Sequence, residues 1–146
     1  MQIVNVEEFT VSGVQVRTKN ADEMNADSAK IGGLWQKFGS SIAPKLTSDS
    51  IVYGVYCHYE SDANGEFDVY AGSNVVTDVD GLESVTVDAG EYMVFSQKGE
   101  MPQSVISAWV EIWQYFSELP ERERAYTTDF ECYKGDDEVE VYIAIK

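Results

Sequence analysis

The chain has little of what staples a small protein from outside its core. It carries two cysteines, Cys57 and Cys132, and one histidine, His58, in 146 residues. Neither cysteine lies in a CxxC or a Cys/His ligand spacing, so no structural metal is expected. Both cysteines are expected as small buried strand residues. Basic residues are scarce as well: ten Lys and Arg stand against 26 Asp and Glu, a formal net charge of −16. Binding to nucleic acid draws on clustered Lys and Arg to neutralise phosphates, so direct nucleic-acid binding is not expected. No run approaches the ~18 apolar residues of a membrane span. The first residues, Met1 to Glu8, lack the basic and apolar segments of a secretory signal. A cytoplasmic protein without membrane contact is therefore the expectation.

Cofactor and catalytic motifs are missing too. Gly32-Gly33 lacks the GxGxxG spacing of a phosphate loop and is read as permitting close packing of a helix on a sheet. Asp62 to Glu66 lacks the twelve-residue frame of a calcium loop. His58 has no Ser or Cys partner with a motif around it, so no triad is expected. The cluster Glu121 to Glu123, broken by Arg122 and followed by Arg124, reads as a solvated loop. The expectation is a protein without cofactor or metal, and not an enzyme.

What the chain does have is apolar content. Hydrophobic residues make up 44%, enough for a core in one domain spanning residues 1–146. The negative field raises the local concentration of cations. The sequence also reads as one pattern written twice, with halves of about 1–80 and 81–146. Leu34-Trp35-Gln36-Lys37-Phe38 returns as Ile112-Trp113-Gln114-Tyr115-Phe116. Ser12 to Val16 returns loosely as Ala89 to Val94, Val55 to His58 as Phe130 to Tyr133, and Asp68 to Tyr70 as Glu140 to Tyr142. Matches that keep one order suggest a duplicated frame, with a period too long for a solenoid.

Each half reads strand, helix, strand, strand. Phe9 to Arg17 alternates like a half-buried strand. Ser28 to Ile42 carries Ile31, Leu34, Trp35, Phe38 and Ile42 as one helical stripe, stopped by Pro44. Ile51 to Tyr59 and Glu66 to Asn74 form a hairpin turning at Asp62 to Gly65. In the second half, Ser84 to Asp88 and Tyr92 to Lys98 are strands. A helix opens at Pro102, carries Val105, Trp109, Ile112, Trp113 and Phe116, and ends before Pro120. Thr128 to Lys134 and Glu138 to Ile145 close the chain as a hairpin through Gly135-Asp136-Asp137. The fold class is α+β: a tandem β-α-β-β repeat with pseudo-twofold symmetry, an antiparallel sheet with two helices on one side, and a pocket between the halves.

Several segments carry a family resemblance: Ala108-Trp109 through Ile112-Trp113, Leu119-Pro120, Asp129-Phe130-Glu131-Cys132-Tyr133, Val139 to Lys146 and the upstream Asp88 to Phe95. The chain resembles the GyrI-like domain, the effector-binding domain of AraC/Rob-type and BmrR-type transcription regulators. The resemblance implies the tandem β-α-β-β fold and a pocket between the repeats. It also implies a glutamate in the Phe-Glu-x-Tyr strand that pairs with cationic lipophilic ligands, here Glu131. A helix-turn-helix domain accompanies most members, and these 146 residues leave no room for one.

The residues themselves agree with that role. Alternation puts Asp129, Glu131 and Tyr133 on one strand face and Phe130 and Cys132 on the other. Tyr56, the repeat counterpart of Glu131, should reach the same groove. A carboxylate among aromatics is poorly solvated and needs a proton, a hydrogen bond or a counter-ion. An organic cation supplies the counter-ion, and aromatic faces hold it for about 0.5–2 kcal/mol per contact. The expected ligand-binding set is Glu131, Tyr133, Tyr56, Tyr92, Trp109, Trp113, Trp35 and Tyr142. The expected function is a sensor, carrier or sequestering module for cationic amphipathic or aromatic small molecules. Two alternatives stay open: an acidic protein-interaction module of the gyrase-inhibitor type, and a small-molecule hydrolase in which Glu131 directs a water. A separate DNA-binding or other protein is the further partner considered.

Overall fold

The computed structural model describes residues 2–61, 64–75, 81–118, 123–135 and 137–146. Eight strands form one antiparallel sheet: β1 (Gln2–Val6), β2 (Phe9–Lys19), β3 (Val52–Cys57), β4 (Glu66–Ser73), β5 (Glu83–Val87), β6 (Gly90–Lys98), β7 (Thr128–Tyr133) and β8 (Glu138–Ala144). Among the described residues, three α-helices join them: the short α1 (Asn20–Glu23), α2 (Ile31–Ser41) and α3 (Gln103–Glu118).

The strand order β1-β6-β8-β7-β3-β4-β2-β5 carries the duplication. Outward from the centre, β7 matches β3, β8 matches β4, β6 matches β2 and β1 matches β5. Each half is a β-α-β-β unit preceded by one further strand, β1 or β5, which it lends to the other half's edge. The expected elements are all present with small shifts at their ends. The edge strand β1 was not expected, and Pro44 sits in a single 3-10 turn, Ala43–Lys45, after α2. The predicted turn positions Asp62, Ala63 and Asp136, Leu119 and the stop at Pro120, and Glu121 and Arg122 of the charged cluster lie outside the described residues.

Burial follows the two periods. In α2, Leu34 and Phe38 are buried, and in α3, Ser104, Ala108 and Ile112. These stripes cover one face of the sheet: α2 over Val14, Val69 and Ala71, and α3 over Met93, Phe95, Val139, Val141 and Ile143. The other face gathers Val11, Val55, Val85, Val87, Tyr92, Phe130 and Ala144 into a third cluster. Here β5 touches β7, although three strands separate them in the sheet. The sheet must therefore curl towards the side away from the helices. The glycine pair in α2 does not serve close packing, as had been expected. A Cβ at Gly32 or Gly33 would meet nothing within 4 Å, because the helix approaches the sheet through Leu34 and Phe38. No described helix is long and apolar enough to cross a membrane.

Candidate functional site

The central pair of the sheet positions the key acid. Glu131 on β7 stands opposite Gly54 on β3. Its side chain points to the helix face, between the two repeats, and is 2% exposed. Glutamate is rarely enclosed to this degree without partners, and here three side chains supply them. Oε2 accepts hydrogen bonds from Tyr56 Oη at 2.8 Å and from Trp109 Nε1 at 2.7 Å. Oε1 accepts one from Tyr133 Oη at 2.7 Å. The donors come from β3, α3 and β7, so both repeats build the site.

Burial pushes the Glu131 carboxyl above the ordinary carboxylate range, while the hydrogen bonds from Trp109, Tyr133 and Tyr56 pull it back. Burial, with the adjacent Glu131 as a smaller cause, pushes the Tyr56 and Tyr133 hydroxyls well above their usual value. Both stay protonated at neutral pH and serve as donors. Among the described residues, no Lys, Arg or His pairs with Glu131.

The carboxylate borders a cavity of about 780 Å³ between α2, α3 and the sheet. Its walls are mainly apolar and aromatic. Trp35 meets Tyr133 edge-on with centroids 5.3 Å apart, and Tyr56 meets Trp109 at 5.0 Å. Trp113 lies 6.2 Å from Trp109 and is 40% exposed, which places it at the rim. Trp35, Tyr56, Trp109, Trp113, Glu131 and Tyr133 all line this cavity. The sequence echo had matched Trp35 with Trp113. Burial matches Leu34 and Phe38 with Ala108 and Ile112, so Trp109, one turn earlier, is the counterpart of Trp35.

Tyr92 and Tyr142 are corrections, because neither lines the cavity. Val141, not Tyr142, stands opposite Glu131, and Tyr142 pairs with Phe130. Tyr142 therefore faces the other side, stacked on Phe130 at 4.4 Å. Tyr92 pairs with Ala144 and packs in the same opposite cluster. Its hydroxyl donates to the Asp88 carbonyl at 2.6 Å and meets Thr128 Oγ1 at 2.7 Å. Strand parity decides both: one position along β6 or β8 reverses the face.

Several residues in and around the site escaped the sequence reading. Gly54 leaves room for the acid, since a Cβ there would lie 2.6 Å from Glu131 Oε1. Glu23 lines the cavity and closes the start of α2, accepting from the Lys30 and Ile31 amides at 2.8 and 3.1 Å. Arg124 was expected in a solvated loop, but its side chain is 6% exposed. Asp129 is fully enclosed and explains why: Arg124 Nη2 donates to its Oδ2 at 2.7 Å. Tyr59 Oη also donates to Oδ2, and the Ala144 amide donates to Oδ1 at 2.8 Å. The acid at 129 and its surface alternation were legible, but the partner that draws Arg124 inward had no local signal.

The cysteines behave differently from each other. Cys57 is buried as expected, whereas Cys132 is half-buried, bordering a shallower hollow on the opposite face. Cys57 Sγ lies 3.6 Å from His58 Nδ1, which lies 2.6 Å from Asp68 Oδ2. Burial pushes the Cys57 thiol up to about 12, and a neutral enclosed thiol is a poor nucleophile.

Known proteins share this architecture. The integron cassette protein VCH_CASS2, from the mobile metagenome of Vibrio cholerae, superposes with a TM-score of 0.95 at 49% identity, covering 99% of this chain and 95% of that one. YobU of Bacillus subtilis (strain 168), a candidate transcriptional regulator, is 27% identical over 92% of this chain and 91% of its own length. SAV2435, solved bound to tetraphenylphosphonium, has the same fold, with a TM-score of 0.72 at 18% identity over 99% of this chain and 93% of that one. The resemblance to effector-binding domains is borne out. The family model Cass2, integron-associated effector binding protein, matches residues 2–145, and the chain belongs to that family.

Proposed function

We propose that this domain binds organic cations, with Glu131 as counter-ion and Trp35, Tyr56, Trp109, Trp113 and Tyr133 as the aromatic surround. One contrast on β7 carries the reading. Asp129 and Glu131 are both enclosed on the same strand face. Asp129 has a guanidinium partner in Arg124, with Tyr126 and Tyr59 rings 4.5 and 6.0 Å from its Cζ. Glu131 has only neutral donors, and an open aromatic cavity lies beside it. A delocalised cation entering that cavity would give Glu131 what Asp129 already has. Such a cation loses less hydration on entry than a small ammonium, so the apolar walls favour it.

A relative with this fold binds tetraphenylphosphonium, a lipophilic cation. Counter-ion chemistry also suits Glu131 better than catalysis. Its three donors stabilise the charged form, and among the described residues no Lys, Arg or His pairs with it to relay a proton. The domain then acts as a sensor, carrier or sequestering module, and a separate DNA-binding protein would make it the effector half of a regulator. Calorimetric titration with tetraphenylphosphonium tests the reading, with tetraphenylborate as the control of like shape and opposite charge. The phosphonium should bind, the borate should not, and Glu131→Gln should weaken the phosphonium by about tenfold or more. Equal affinity in a folded Glu131→Gln protein would overturn the assignment.

A further inference from the structure

The cavity has a second polar end. Arg124 forms part of its wall, and the guanidinium is incompletely used. Among the described residues, Nη2 alone is engaged, by Asp129, and Nε is enclosed without a hydrogen-bond partner. A guanidinium offers five N–H donors in its plane. The rings of Tyr126 and Tyr59 can meet its face, which leaves in-plane donors unspent. An enclosed donor without an acceptor is costly; Nε has no open surface of its own, so an incoming oxygen would engage it as the guanidinium edge turns towards the cavity.

We propose that Arg124 is an acceptor-binding subsite, and that the preferred ligands are monocations carrying a neutral oxygen acceptor, a carbonyl or an ether, at the far end from the charge. This rests on the cation reading of Glu131 and narrows its ligand class. Asp129, which holds Arg124, stands two residues from Glu131 on one strand face, roughly 7 Å along the β7 backbone. Charge balance selects a neutral acceptor. Arg124 already cancels Asp129, and the Glu23 carboxylate, at the α2 end of the wall, is held by Thr18 Oγ1 and the Lys30 and Ile31 amides, so the charge left to a ligand between the two poles is that of Glu131. A monocation balances that charge. A zwitterion would leave one negative charge enclosed and unpaired, which is strongly unfavourable.

The test compares (4-acetylbenzyl)trimethylammonium with (4-isopropylbenzyl)trimethylammonium, which have nearly the same shape and differ in the carbonyl oxygen. The neutral analogue of the acetyl compound, with carbon in place of the ammonium nitrogen, is the third arm. The acetyl cation should bind about tenfold more tightly than the isopropyl cation. In the paired variant Arg124→Met with Asp129→Asn, which removes the ion pair without stranding either charge, the ratio should fall towards one. Equal affinity of the two cations for the unmodified protein overturns the subsite and leaves the Glu131 reading standing. Binding of the neutral analogue as tight as that of the acetyl cation overturns the Glu131 reading instead. The comparison on the unmodified protein decides the question even if the paired variant does not fold.

Discussion

Gly54 and Glu131 face each other across the central strand pair, and Glu131 Oε1 occupies the space a side chain at Gly54 would need. A Cβ there would also lie 3.1 Å from Trp35 Cζ2. The acid is pinned by Tyr56, Trp109 and Tyr133 and has little freedom to retreat. Gly54→Ala should therefore destabilise the domain by about 1–3 kcal/mol, as overpacking does, and weaken cation binding. Gly33→Ala is the matched control. Its Cβ meets nothing within 4 Å in the α2 helix, so it should stabilise by about 0.5–1 kcal/mol. Thermal unfolding and cation titration of both variants check the pair.

The raised Glu131 pKa sets opposite pH trends for stability and for binding. In the unfolded chain the carboxyl titrates near its ordinary value of 4.5, and in the folded protein it titrates higher. Between those values the folded state holds a proton that the unfolded chain has released. The contribution to stability is thus complete below the unfolded value and is lost as pH rises through the folded one. Glu131→Gln has no such proton, so its stability relative to the parent should improve as pH rises from the unfolded value through the folded one. Cation binding needs the carboxylate, so affinity should rise with pH by up to about tenfold per unit and level off above the folded pKa. Proton release on binding, read by calorimetry in buffers of different ionisation enthalpy, is the signature. A flat pH profile would argue against Glu131 as the counter-ion.

Tyr133 supplies the hydrogen bond that Oε1 accepts, and Trp35 packs against its ring. Tyr133→Phe keeps the ring and removes the donor. Losing a hydrogen bond to the charged form raises the carboxyl pKa further. The midpoint of the binding pH profile should move up, and neutral-pH affinity should fall by less than in Glu131→Gln. A profile that overlays the parent's would show that the hydroxyl does not hold the carboxylate in solution.

The parts of the site legible in the sequence are those that depend on one strand or one helix. Alternation alone set Glu131 and Tyr133 apart from Phe130 and Cys132, and the duplicated frame brought Tyr56 to the same groove. The helical stripes placed Trp35 and Trp109 near it. Features that depend on pairing between distant segments were not legible. Tyr92 and Tyr142 needed the register of β6 and β8. Strand β1 is recognisable only through β6, with Gln2 paired to Val94 and Val6 to Gly90. Gly54 gains its meaning only from the strand beside it, and Arg124 only from the enclosed Asp129.

That buried pair gives the sharpest stability prediction. Arg124→Ala would leave Asp129 enclosed beside Tyr59 with no cation. Breaking a buried pair by removing one partner costs about 3–5 kcal/mol, because the remaining charge has lost its water and its counter-ion. Lys134 and Glu140 provide the comparison, with Nζ 3.0 Å from Oε1 but the lysine side chain 51% exposed. Water and salt screen that pair, and Lys134→Ala should leave the unfolding transition nearly unchanged. Denaturant unfolding of both variants at neutral pH separates the two cases. If Arg124→Ala proved as mild as Lys134→Ala at neutral pH, the Arg124–Asp129 pair would not be the internal counterpart of a cation bound at Glu131.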